Sequence, residues 1–185
     1  MKISGICGSL RKNSWNNILL KIVLNKISKN KKINTEIINV SNFPLYNADI
    51  ESIKTPEDVI QAKSKIQKSD LIIFSSPAYN GSYSGVMKNI VDWLSRSPQV
   101  LPDKNALVIG CTPGMSGTLL GYTHLNQLLF GLGVNVLSQP RILVSSINKK
   151  LDTDGNLIDE DLELLIENSI DTVSYTHLRA HETRE

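Results

Sequence analysis

The chain has 185 residues, 41% hydrophobic and 21% charged, with a formal net charge of +2. These values fit one globular domain with a sizeable core and exclude a disordered chain or a strongly basic nucleic-acid surface. No apolar run reaches the roughly 20 residues that cross a bilayer and no signal peptide opens the chain, so a soluble, cytoplasmic protein without membrane or nucleic-acid partners is expected.

Ile3–Cys7 reads as a first short strand. Gly8 to Ser14 follows as a small polar loop, and Trp15, Ile18, Leu19, Ile22, Val23 and Ile27 then recur at helical spacing. Ser14 is the expected N-cap. A strand, a small polar loop and a helix start together make an anion site, because free backbone N–H groups and the helix dipole face the loop. The hydroxyls of Ser9 and Ser14, the Asn16 amide and the Arg11 guanidinium are expected to complete a phosphate cradle. An ordinary capped turn would have the same outline. Neither GxxxxGK[ST] nor GxGxxG occurs, which excludes the nucleoside-triphosphate and dinucleotide loops.

Thr35–Val40 reads as a second strand, and Phe43–Asn47 as an extended loop with exposed aromatics. Thr55-Pro56-Glu57 opens the next helix, with Thr55 as N-cap and Pro56 in its first position, ending near Lys68. Leu71–Phe74 is a continuous apolar run, as in a strand buried on both faces. Ser76–Trp93, SPAYNGSYSGVMKNIVDW, then passes from a loop rich in Pro, Gly, Asn and Tyr into a helix marked by Val86, Met87, Ile90, Trp93 and Leu94. Such a loop suits a flat ligand held against amides and a ring, although aromatics plugging a gap would look alike.

Ala106–Cys111 reads as a fourth strand ending in another small-residue loop, Thr112–Gly117. A helix carrying Leu125, Leu128, Leu129 and Leu132 follows; its His124 is assigned no chemistry. Val134–Leu137 and Ile142–Val144 form an interrupted fifth strand, Asp154-Gly155 a turn, and Asp159 or Asp161 caps a last helix through Leu162, Leu165 and Ile166. Alternating strands and helices imply an α/β, flavodoxin-like doubly wound sheet of five parallel strands in order 2-1-3-4-5, with helices on both faces. The loops after strands one, three and four would then meet at one edge.

Cys7 and Cys111 lack metal or CxxC spacing; strand three would hold them about 9–10 Å apart, too far for a disulfide. Residues 1–34 carry eight basic and no acidic side chains, and 151–171 carry eight acidic and no basic ones. Solvated helix faces explain this pattern. A positive field near the first loop would also favour an anionic ligand.

Gly8-Ser9-Leu10-Arg11-Lys12-Asn13-Ser14-Trp15-Asn16, together with Ser76–Ser82 and Gly85–Trp93, resembles the NADPH-dependent FMN reductase family of flavodoxin-like proteins, with its GSxRxxSxN and SPxYNGSxPGxLKNxIDW segments. The resemblance runs from residue 1 to about 171. It implies FMN as cofactor, NADPH or NADH as electron donor, a quinone or other small acceptor, ping-pong hydride transfer, and a homodimer or homotetramer. Ser9, Arg11, Ser14, Trp15 and Asn16 would take the FMN phosphate; Pro77, Ala78, Tyr79, Asn80, Gly81 and Ser82 the ring; and Thr112, Ser116 and Gly117 would close one side. No catalytic residue or metal is implied, because the flavin carries the chemistry. Two departures stand out: Ser84 replaces a usual proline, and Gly117–Gly121 lacks the basic residue common there. The domain is expected to span 1–173, with 174–185 a foreign or disordered tail that fits no family pattern. An alternative is a flavodoxin-like electron carrier without NAD(P)H oxidation of its own, although such carriers are strongly acidic. A flavin-free transferase would need a carboxylate nucleophile, for which neither Asp92 nor Asp49 is an obvious candidate.

Overall fold

A computed structural model describes residues 1–170. The expected tail at 174–185, and the boundary at 173, lie outside the described residues. The first strand, β1 (Lys2–Cys7), leads through the polar loop into α1 (Trp15–Ser28) and then β2 (Asn34–Ile37). Next come α2 (Ala48–Ile53), α3 (Glu57–Gln67), β3 (Leu71–Ser75), a hairpin of β4 (Ala78–Tyr79) and β5 (Ser82–Tyr83), and α4 (Gly85–Leu94). The chain continues as β6 (Asn105–Cys111), α5 (Leu119–Gly131), β7 (Asn135–Leu137) and β8 (Leu143–Val144). A helix over 160–170, α6, follows.

The main sheet runs β2-β1-β3-β6-β7, with β8 also paired to β6, and every pairing is parallel. With β7 and β8 as the two pieces of the interrupted fifth strand, this is the anticipated order. The central strands bury both faces: β3 is wholly buried and β1 nearly so. One core packs α1 and α6 on one side of the sheet, through Leu20, Val23, Ile27, Leu162 and Ile166. The other packs α3, α4 and α5 on the opposite side, around Ile66, Phe74, Met87, Ile90 and Leu125.

The opposed charge runs meet across the first core. Lys26 of α1 pairs with Glu163 and Glu167 of α6, which raises the lysine pKa and lowers that of Glu163. Asp159 is the α6 cap, its carboxylate accepting from Leu162 N–H at 2.8 Å. No helix among the described residues is long and apolar enough to cross a membrane.

Several local expectations need correction. β2 stops at Ile37, although Ile38 and Val40 beyond it remain buried. Thr55 is not a cap: Pro56 occupies that position without a side-chain bond, and its carbonyl accepts from Val59 and Ile60. The short helix α2, capped by Asn47, was not anticipated and buries none of its residues. The aromatics of the Phe43–Asn47 loop are not exposed. Tyr46 meets Trp93 edge-on at 5.1 Å, and the Pro44 carbonyl accepts from both the Trp93 indole and the Asn89 amide. A buried indole N–H needs such a partner, and this one draws the loop inward.

Candidate active site

Three strand ends converge as the sheet order requires, and their loops enclose a cleft of about 190 Å³. Ser9, Arg11, Ser14, Trp15 and Asn16 line it from the β1–α1 side, Pro77, Ala78 and Tyr79 from the hairpin, and Thr112 from the β6–α5 loop. Nine of the fourteen expected residues are therefore brought together. Asn80, Gly81 and Ser82 stand at the hairpin tip, and Ser116 and Gly117 farther along the β6–α5 loop, outside the lining. Cys111 and Pro113 belong to the lining although sequence reasoning did not name them.

The β1–α1 loop has donors to spare. Ser14 caps α1, its hydroxyl accepting from Asn17 N–H at 3.3 Å. The N–H groups of Trp15 and Asn16 donate to nothing among the described residues. The Ser9 hydroxyl and the exposed Arg11 guanidinium likewise have no hydrogen-bond partner there. A hydroxyl, a guanidinium and open helix amides on one loop match the oxygens of a terminal phosphate, so the donor set fits FMN.

Asn16 plays a different part from the one expected. Its amide donates to the Cys111 carbonyl and accepts from Cys111 N–H, both at 3.0 Å, while the Ser75 hydroxyl donates to the Asn16 carbonyl at 2.8 Å. With both ends of the amide engaged and only 4% of the residue exposed, Asn16 fastens the loop to β3 and β6. Local pattern gives no sign of this, because the partner lies 95 positions away.

Ser84 is a second fastening. Its hydroxyl caps α4 by accepting from Met87 N–H at 3.0 Å and donates to the Gly8 carbonyl at 2.5 Å. Gly8 permits this approach: a Cβ there would stand 2.9 Å from both the Ser84 hydroxyl and Met87. The departure from proline thus links the two loops that form the cleft.

The hairpin supplies the flat wall. Asn80 and Gly81 have φ of 50° and 74°, the left-handed pair that a type I′ turn requires, so an Asn-Gly dipeptide reverses the chain in two residues. Pro77 is buried, whereas Tyr79 is 58% exposed at the rim. Burial pushes the thiols of Cys7 and Cys111 above the ordinary cysteine range. They are free, and β3 separates their strands. Protonated and buried, they serve as wall rather than nucleophile. Asp92 is engaged by Lys88 at 2.5 and 2.7 Å on α4, and Asp49 lies in α2, so neither carboxylate lines the cleft. His124 forms a 3.3 Å contact with Ser82, outside the cleft lining.

The family model for NADPH-dependent FMN reductase matches residues 1–149. An NAD(P)H-dependent FMN reductase of Pseudomonas aeruginosa is 34% identical over 171 residues, covering 92% of this chain and 91% of that protein. An NAD(P)H:quinone oxidoreductase of Solanum tuberosum is 36% identical over 166 residues, covering 87% and 84%. Among solved structures, the flavoenzyme NAD(P)H:(acceptor) oxidoreductase of Paracoccus denitrificans superposes with a TM-score of 0.80 at 30% identity, covering 92% of this chain and 93% of its own.

Proposed function

The chain belongs to the NADPH-dependent FMN reductase family, and from that premise we propose that it is an FMN-dependent NAD(P)H oxidoreductase that reduces quinones or similar small acceptors. The observation that carries this reading is one cleft joining a donor-rich phosphate loop to a flat hairpin wall. When bound, FMN accepts two electrons from a nicotinamide and passes them to the acceptor.

The protein's own share is binding and orientation. Ser9, Arg11 and the open amides of α1 hold the phosphate, with Ser14 and Asn16 fixing the loop that presents them. Pro77, Ala78 and Tyr79 support the ring. Hairpin-tip N–H groups near Asn80–Ser82 would favour negative charge on a ring bound against the hairpin. Thr112 borders the opposite wall, with Ser116 and Gly117 farther out on a loop that follows the nicotinamide or acceptor.

Nicotinamide and acceptor using the one cleft in turn would give ping-pong kinetics. The exposed Leu119, Leu120 and Phe130 of α5 support a homodimer or homotetramer, and a cytoplasmic setting suits the reduced thiols. The test is anaerobic mixing of FMN-loaded protein with NADPH or NADH. Bleaching of the flavin colour within seconds and its return on adding a benzoquinone is expected, with parallel double-reciprocal lines at steady state. Colour that persists for minutes with both nucleotides would overturn the reading.

A further inference from the structure

The hairpin that supplies the flat wall has little of its own to hold it in place. Each of its strands has two residues, Ala78–Tyr79 pairing with Ser82–Tyr83. A two-stranded hairpin by itself is marginal in water, so its position is set by what it packs on. That element is α5, whose first turns meet both the strands and the tip of the hairpin.

Gly121 allows the closest approach. A Cβ there would stand 2.9 Å from the Ala78 Cβ and 3.2 Å from the carbonyl carbon and oxygen of Ser82. Ala78 is itself part of the cleft wall. Leu120 meets the turn, its Cδ1 lying 3.5 Å from where a Cβ on Gly81 would be. One turn beyond Gly121, the exposed His124 places its Nδ1 at 3.3 Å from the Ser82 hydroxyl. A hydroxyl both donates and accepts, so this contact needs no particular ring tautomer. The start of the same helix is seated on β6 through Thr118, which is 2% exposed; a Cβ on Gly110 would stand 2.7 Å from its hydroxyl. Helix α5 therefore spans from β6 to the hairpin.

We propose that Gly121 and His124 are positioning residues for the flavin ring: together they fix the hairpin against α5, and with it the tip N–H groups against the ring. The proposal rests on the flavin-binding reading of the adjoining cleft. A methyl group at position 121 would meet a β-carbon and backbone rather than a side chain that can rotate away, so the hairpin itself must shift. The β1–α1 loop is untouched by such a shift. Contacts to the ring and to the phosphate are thus separable.

The test titrates cofactor-free protein by fluorescence with FMN and with riboflavin, which has the ring and no phosphate. It also measures the reduction potential of FMN-loaded protein by dye equilibration. His124→Ala should weaken both flavins by the same factor, about three- to tenfold, as one hydrogen bond supplies. Gly121→Ala should weaken both by about tenfold or more. The preference for FMN over riboflavin should persist in both variants and diminish in Arg11→Ala. The potential should fall in both, by about 30 mV for each tenfold loss of preference for the reduced ring. His124→Asn keeps a polar atom near the Nδ1 position and should restore both readouts.

Affinities within about twofold of the unsubstituted protein in either folded variant would overturn the assignment. His124→Ala, at an exposed position, decides it alone if Gly121→Ala does not fold. A fall in affinity with an unmoved potential, or His124→Asn behaving as His124→Ala does, would also overturn it. So would loss of FMN affinity with riboflavin affinity unchanged, which puts the effect in the phosphate loop. Unsubstituted protein that binds neither flavin would remove this assignment and the reductase reading together. The expected shifts without oxidation of NADPH or NADH would leave the assignment standing and remove the reductase reading. Oxidation of either donor by variants with unchanged affinities would do the reverse.

Discussion

The two loops that face each other across the cleft are held in opposite ways. The β1–α1 loop is fastened at three points: by Asn16 to β6, by the Ser75 hydroxyl of β3, and by the Ser84 hydroxyl at Gly8. The β6–α5 loop is anchored near its start, where Gly114 N–H donates to the Thr112 hydroxyl and Ile147 and Ser146 donate to the Thr112 and Gly114 carbonyls. Beyond that, Met115 is 90% exposed and Ser116 is exposed as well. Fixed donors are worth most where a charged group must be met without reorganisation, while a changing succession of small molecules tolerates an adaptable rim. The departure at Gly117–Gly121 falls beside the loosely held loop, and the Ser84 departure adds a tie to the firmly held one.

The largest test of this contrast is Asn16→Leu. It leaves the buried Cys111 N–H and carbonyl unpaired, at about 1–3 kcal/mol each, so FMN-free protein should lose about 2–6 kcal/mol of stability in urea unfolding. A loss below about 1 kcal/mol would mean the loop is not fastened by this residue. Next is Arg11→Ala, which should weaken FMN binding by about 1.5–3 kcal/mol in a fluorescence titration while leaving urea stability unchanged, since the side chain is exposed and unpaired. An unchanged dissociation constant would remove Arg11 from the site.

Ser84→Ala should cost about 1–2 kcal/mol of stability through the lost cap, and FMN affinity should fall with it if the Gly8 tie positions the loop. Ser84→Pro sharpens the point. Its φ of −67° accepts proline, so the tie and cap are lost together with the long 3.4 Å bond from Ser84 N–H to the Ser76 hydroxyl; FMN affinity equal to that of the unsubstituted protein would show the tie to be incidental. The smallest effect belongs to the other loop. Met115→Ser should change stability by no more than about 0.5 kcal/mol, and a larger change by thermal melting would contradict the contrast.

What the sequence made legible follows the same division. Strand order follows from the alternation of strands and helices and the handedness of their crossovers, while the polar β1–α1 turn and the buried β3 rest on local composition and periodicity, which survive folding unchanged. The hairpin was signalled by Asn80-Gly81, but strands of two residues are too short to show alternation. Helix α2 buries nothing, so it has no apolar stripe to read. The roles of Asn16 and Ser84 depend on partners 95 and 76 positions away. No local rule reaches so far.

That long reach of Asn16 bears on how the protein is made. The cradle proposed for the phosphate lies within the first sixteen residues, yet its lock is the Cys111 backbone, with Ser75 and Ser84 as intermediate ties. At synthesis rates of about 5–20 residues per second, the amino-terminal loop spends seconds outside the ribosome before its partners exist. A nascent chain ending before β6 has the motif without the site. On the proposed reading, capture of the cofactor is a late event, because a chain stalled or cleaved ahead of Cys111 keeps the Ser75 and Ser84 ties but lacks the Cys111 backbone that holds the Asn16 amide.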